Sequence, residues 1–302
     1  MTSRFLTTVA RHRHLLLMFL MPAAFLAVFS YLPMYGAIIA FKEFRMGEGV
    51  FGSAWAGTLN FVRLFTGADF LRALGNTLFI SGLRMVTGFF APIALALLFN
   101  EVRLGWYKRF IQTLTYLPFF FSWVILGGMF KIIFSMDGPV NAILAAFGAQ
   151  PIQFMADKTW FLVILIVTGI WQGVGYGAVI YLAALSGISP TLYEAAMVDG
   201  AGRWRQMVHI TLPSLVPTMV VLMILSLGGL LNAGFDQIYN LYNPMVYRTS
   251  DIIDTYVLRR MVTMDYGLAT AAGLFKGVVG LLLIVGSNKL ANRMSGGEQG
   301  LW

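Results

Sequence analysis

The sequence predicts an all-α, polytopic membrane protein with six transmembrane helices. Of its 302 residues 58% are hydrophobic and only 11% charged, against about 25% charged in an average soluble domain. A chain this poor in charge, with a mean hydropathy of +0.76, cannot cover itself for water. Six apolar runs come close to or exceed the roughly 20 residues that carry a helix across the hydrocarbon core. Between the fourth and fifth runs lies a polar island of helix-forming residues, 194–213, which must sit at a membrane surface.

The first run, Leu15–Ala40, contains Pro22 and Pro33, which a membrane helix tolerates or which end it early. With Arg11 and Arg13 ahead of it, residues 1–30 resemble a signal peptide. The run is too long for an h-region and continues past any small-residue cleavage site, so it reads as an uncleaved signal-anchor. The remaining runs are Ala73–Phe99, Ile111–Phe134, Trp160–Ala184, Leu215–Ala233 and Leu268–Val285. The loops at about 41–72, 135–159 and 234–267 fall on the side opposite the N-terminus. The first and last of them, rich in aromatics, Gly, Asn and Asp, suit an external partner or an interfacial aromatic belt. With no linker or low-complexity tract, residues 1–302 read as one membrane domain.

The absence of cysteine excludes disulfides, thiolate metal sites and a cysteine nucleophile. The net charge of +8 comes from basic residues that flank the apolar runs, so anionic lipid headgroups are the expected partner and nucleic acid is not. Lys and Arg divide almost evenly between the two sides, so the positive-inside rule leaves orientation open.

The polar island predicts a short, stiff helix. Ser189 caps the exposed amides and Pro190 fits the first helical position. Thr191 and Glu194 alternatively form a T-x-x-E capping box. Gly200 permits the positive-φ turn that ends the helix. Arg203–Ile210 forms a second amphipathic turn or two, and Pro213 pushes Leu212 out of helical geometry, separating this element from the fifth span.

Glu194, Ala195, Ala196, Gly200, Ile210, Leu212 and Pro213, with three residues between Ala196 and Gly200 and nine between Gly200 and Ile210, resemble the coupling (EAA) signature of ABC importer permeases. The resemblance implies the type I ABC importer permease fold in a bacterial cytoplasmic (inner) membrane, both termini cytoplasmic, with a cytoplasmic coupling loop at 186–213. It also implies two ATPase subunits gripping residues 190–213, a second and related permease, and an extracytoplasmic solute-binding protein. Glu194 would then be the polar contact with the ATPase. ATP and Mg²⁺ would be bound by the partner ATPases, with no cofactor in this chain, which has no G-x-x-x-x-G-K-[ST] phosphate loop. Nor does it contain H-E-x-x-H or G-x-S-x-G, and His12, His14 and His209 are scattered, so neither a catalytic nor a metal site is supported.

Further stretches narrow the resemblance. Tyr31-Leu32-Pro33-Met34-Tyr35-Gly36, Ala40-Phe41-Lys42-Glu43-Phe44, Gly52-Ser53-Ala54-Trp55, Asn60-Phe61, Asn76-Thr77, the run from Gly234 to Pro244, and Asp254-Thr255-Tyr256-Val257 are similar to polysaccharide-type carbohydrate permeases, alginate-type importers among them. An oligosaccharide or polysaccharide fragment is the implied cargo. Lys276 stands where that subgroup would be expected to carry a small or uncharged polar residue.

Polar groups inside a span are costly and tend to face a cavity or a partner. Arg84 and Lys276 lie deep in the second and sixth runs. Each either pairs with an acid or carbonyl of a neighbouring helix, or lines the path and favours an acidic sugar such as a uronide. Gln172, Tyr176, Asn232, Phe235 and Asp236 are the other path candidates, because sugars need planar hydrogen-bonding groups and aromatic faces. Two rival functions remain at this level: an ion-gradient-driven secondary transporter, disfavoured because no Asp or Glu lies within the six runs, and a membrane enzyme, for which no nucleophile or acid pair stands out.

Overall fold

The computed structural model describes residues 13–294. Arg11, the start of the signal-like segment and both chain ends lie outside these residues. Backbone contacts group the chain into two compact units: the described part of Met1–Gly67 with Val257–Phe275, and Ala68–Tyr256 with the described part of Lys276–Trp302.

In the first unit, α1 (Arg13–Leu26) continues through a π-helical turn, Ala27–Tyr31, and a 3-10 stretch, Leu32–Phe41. Pro22 is tolerated inside α1. Pro33 falls in the first turn of the 3-10 stretch, where its missing N–H leaves no acceptor unserved. A two-residue antiparallel pair, Lys42–Glu43 with Ala54–Trp55, follows. The hairpin loop closes over the Lys42 ammonium, which donates to the carbonyls of Val50 at 2.6 Å and Ser53 at 3.1 Å. From α2 (Leu59–Thr66) the buried Asn60 amide donates to the carbonyls of Ala40 and Lys42, both at 3.0 Å.

The second unit is built on α3 (Ala68–Glu101) and α7 (Lys158–Ser186). These helices approach closely where Gly177 faces Pro92; a Cβ at 177 would lie 2.9 Å from the proline ring. Asp157 caps α7, its carboxylate accepting from the amides of Thr159 and Trp160, each at 2.9 Å. Between them lie α4 (Gly105–Tyr116), α5 (Trp123–Ile133) and α6 (Pro139–Ala146). After α7 come α8 (Pro190–Val198), α9 (Arg203–Gln206), α10 (Leu212–Gly228), α11 (Phe235–Leu241), α12 (Ile253–Val262) and α13 (Tyr266–Met294). A core of Ile80, Leu126, Phe161, Leu165, Ile238 and Leu241 joins α3, α5, α7 and α11.

Among the described residues, five helices are long and apolar enough to cross a membrane unbroken. The expected third span, Ile111–Phe134, is instead two helices meeting at 101°. Pro118 starts a 3-10 turn, Leu117–Phe120, and Phe121 and Ser122 are extended, with ψ of 137° and 151°. The described helices make six crossings only if this bent pair counts as one span. Two boundaries also move. The fifth span was expected to run over 215–233 but ends at Gly228. Pro213 does not break the chain, since Arg203–Gly228 is one continuous helical span. Leu212 keeps helical φ and ψ of −63° and −46°, and its N–H reaches back to the Met207 carbonyl in the π-turn Met207–Thr211. A widened turn just ahead of the proline accommodates the ring that a regular α-turn would exclude. The loop expected over 234–267 is largely helical, holding α11, a single turn at Tyr247–Ser250, and α12.

Candidate functional site

The polar island folds as a helix–turn–helix. Pro190 opens α8 and Ser189 holds the N-cap position, but the Ser189 hydroxyl pairs with Thr191 Oγ1 at 2.7 Å and caps no amide. The T-x-x-E box does not form: Thr191 lies inside the helix, which begins at Pro190, and no side chain caps its N-terminus. The exit is as expected. Gly200 adopts φ +75°, and the Gly200 and Ala201 amides return to the carbonyls of Met197 at 3.1 Å and Ala196 at 2.8 Å. That pair of bonds is a Schellman closure, which requires the left-handed residue glycine supplies.

Three contacts hold this unit against the longer helices. The hydroxyls of Tyr193 and the buried Thr211 lie 3.0 Å apart. Gln206 Nε2 donates to the Ala201 carbonyl at 2.8 Å. Arg203 reaches Glu101, at the end of α3, at 3.5 Å, so the exit of the second span and this segment share one face of the protein. Glu194, Ala195, Gly200 and Pro213 are exposed; Ala196, Ile210 and Leu212 are half-buried. The Glu194 carboxylate has no partner among the described residues. Val198, one helical turn on from Glu194, is 88% exposed, and Trp204 of α9 is 74% exposed. This tethered helix leaves an open carboxylate and exposed apolar side chains on one surface of the protein.

The path candidates separate. Arg84 of α3 and Gln172 of α7 line one cavity of about 230 Å³. An Arg84 Nη1–H donates to Gln237 Oε1. Gln237 is fully buried, and its amide N–H groups go to the Leu165 carbonyl at 2.7 Å and Thr168 Oγ1 at 2.9 Å. Gly234, at φ +84°, brings its backbone so close to the Arg84 guanidinium that a Cβ there would overlap it. Within the 234–244 stretch it is Gly234 and Gln237 that contact Arg84, and sequence reasoning singled out neither; both lie outside the cavity lining. Their only sequence signal is a glycine and an amide at the mouth of an apolar run.

Asn232 and Asp236 are exposed, and Phe235 stacks on Tyr239 with ring centroids 5.4 Å apart; none of the three lines the cavity. Tyr176, half exposed, lies flat on Phe119 with centroids 4.0 Å apart, and Gln172 Nε2 contacts the Phe119 carbonyl at 3.4 Å. Lys276 takes the pairing alternative: its ammonium donates to both carboxylate oxygens of Asp254, at 2.6 and 2.7 Å.

Residues 87–296, from the cavity wall through the tethered helix to the last span, match the family described as "Binding-protein-dependent transport system inner membrane component". This chain belongs to that family. It is the membrane permease subunit of a binding-protein-dependent importer, which sets aside the ion-gradient and membrane-enzyme alternatives. The permease is 40% identical to the polygalacturonan/rhamnogalacturonan transport system permease protein YteP of Bacillus subtilis (strain 168), over 99% of this chain and 93% of the relative. It is 33% identical to the lactose transport system permease protein LacF of Rhizobium radiobacter, over 74% of each. A solved bacterial alginate ABC transporter, in complex with an alginate pentasaccharide-bound periplasmic protein, contains a chain 39% identical to the permease. That chain superposes with a TM-score of 0.89 over 99% of the permease and all of the solved chain.

Proposed function

We propose that this permease carries an oligosaccharide or polysaccharide fragment delivered by an extracytoplasmic binding protein, and that residues 190–213 couple it to separate ATPase subunits. It works beside a second permease, with both termini in the cytoplasm. The observation that carries the coupling role is α8 itself: free of buried residues, closed by Gly200, tied through Tyr193 to Thr211, and presenting Glu194 without a partner among the described residues. The ATPase dimer grips this helix. On ATP-driven closure it displaces α8 as a rigid body, and the Tyr193–Thr211 and Gln206–Ala201 contacts pass the displacement into the Arg203–Gly228 helix. Alternating access follows as a shift between two arrangements of the permease pair, biased by ATP. This chain needs no covalent chemistry. The carbohydrate cargo is supported by the relatives, whose names give polygalacturonan/rhamnogalacturonan, lactose and alginate as what they transport.

The chain lacks cysteine, so a single introduced thiol is unambiguous. Val198→Cys in the assembled complex should cross-link to a thiol placed on the ATPase, in a yield that changes when ATP is added. It should also be reachable by an impermeant maleimide only from the cytoplasmic side. Labelling from outside, or no cross-link to the ATPase at any position of 194–198, overturns the coupling role.

A further inference from the structure

Two cations lie within spans, and the structure treats them differently. Lys276 is neutralised by Asp254. Arg84 has no carboxylate partner among the described residues; its recorded hydrogen bond is to the neutral amide of Gln237. A guanidinium stays charged at any physiological pH and has five N–H donors. An intramembrane cation without a counter-ion persists where it faces a cavity that supplies solvent or a ligand. Arg84 faces such a cavity, and it is the only charged residue among those described as lining it. Gly88 and Gly173 on the wall have open space where a side chain would stand, so a ligand can approach the helix backbones of α3 and α7 there.

We propose that Arg84 is a carboxylate-recognising subsite, and that the saccharide this permease passes is acidic, a uronate-bearing chain. The inference rests on the carbohydrate reading above and names the class within it. The Arg84 fork takes the sugar carboxylate bidentately, a geometry that lysine does not reproduce. The buried Gln237, held by Leu165 and Thr168, fixes the guanidinium in place and leaves its remaining N–H groups to the ligand. Gln172, on the same cavity wall, supplies an amide for a ring hydroxyl. The exposed face of Tyr176, one turn further along α7 and backed by Phe119, offers a stacking surface for the neighbouring sugar. A cavity of about 230 Å³ is smaller than the roughly 300–1,000 Å³ that encloses a whole drug-sized ligand. It holds one sugar residue of an extended chain rather than the chain.

The test is equilibrium binding of a labelled oligouronate, and of the same oligosaccharide with its carboxyls reduced to alcohols, to the purified permease–ATPase complex without binding protein. Wild type should bind the uronate at least about tenfold more tightly, the scale of a hydrogen bond to a charged group. Arg84→Gln should abolish that preference, its affinity for the uronate falling to that for the carboxyl-reduced ligand. Gly173→Leu, whose side chain enters open space at the cavity wall, should weaken both ligands without touching Arg84. A preference that survives Arg84→Gln, an equal loss of both ligands in that variant, or unchanged binding in Gly173→Leu each overturns the subsite. If wild type binds neither ligand yet the full complex with binding protein takes up saccharide, the subsite fails and the carbohydrate reading stands. If it takes up none, the carbohydrate reading fails too.

Discussion

Replacing Gly234 with alanine isolates the contact that holds the cavity cation in position. Gly234 sits at φ +84°, and leaving an L-residue in the left-handed region costs about 1–2 kcal/mol. A second cost is particular to this site. The new methyl would occupy the space of the Arg84 guanidinium, so Arg84 must move off Gln237, forfeiting a hydrogen bond to a charged group worth about 1.5–3 kcal/mol. The expected loss is about 2.5–5 kcal/mol, the sum of those two estimates. Gly148→Ala is the control, because Gly148 has φ +76° but nothing within 4 Å of its added Cβ; it should lose only the backbone part, about 1–2 kcal/mol. The assay is denaturant unfolding of the detergent-purified permease, followed by tryptophan fluorescence. Adding Arg84→Gln to Gly234→Ala should recover part of the loss, a coupling of about 1–2 kcal/mol expected of residues in contact. Equal destabilisation by Gly234→Ala and Gly148→Ala, or strict additivity with Arg84→Gln, would refute the guanidinium–backbone contact.

Glu194→Lys should leave the permease inserted and as stable as wild type while uncoupling uptake from ATP hydrolysis; tightly coupled transport in this variant contradicts the grip on α8. Lys276→Met strands the Asp254 carboxylate. Because both side chains are 24% exposed, the loss should be about 2 kcal/mol rather than the roughly 3–5 of a fully buried pair, and Lys276→Met with Asp254→Asn should restore most of it in the same unfolding assay. Glu101→Gln removes an exposed pair with Arg203 and should change stability by less than about 1 kcal/mol; a larger loss would mean the pair carries the docking of the coupling segment. Gly175→Ala drives a methyl into the Thr115 carbonyl and should cost about 1–3 kcal/mol by overpacking, read as a lowered melting temperature of the purified protein.

Much of the architecture is written in one-dimensional features. Apolar runs report spans because the bilayer imposes a minimum length on them, and the helices at 68–101, 158–186 and 266–294 extend the runs read from composition by two to nine residues at each end. Gly200 was legible because a left-handed exit has few chemical solutions. The bend after Tyr116 was less so: Pro118 marks it, yet Pro22, Pro92 and Pro217 sit inside helices without breaking them. A proline decides only where the following residues also leave helical geometry. The same ambiguity misplaced the effect of Pro213, which the π-turn absorbs.

The sequence by itself determined that this chain spans a membrane, roughly where, and that residues 190–213 form a surface helix with a glycine-closed exit. Those properties depend on solvent transfer and on local backbone preferences, both carried by neighbouring residues. Only the tertiary structure decided the fates of the two cations within spans. Lys276 meets Asp254, 22 residues away in sequence, and is silenced, whereas Arg84 meets a neutral amide 153 residues away and keeps its charge facing the cavity. Charge compensation is a property of pairs brought together by packing, so no reading of a single residue and its neighbours can assign it.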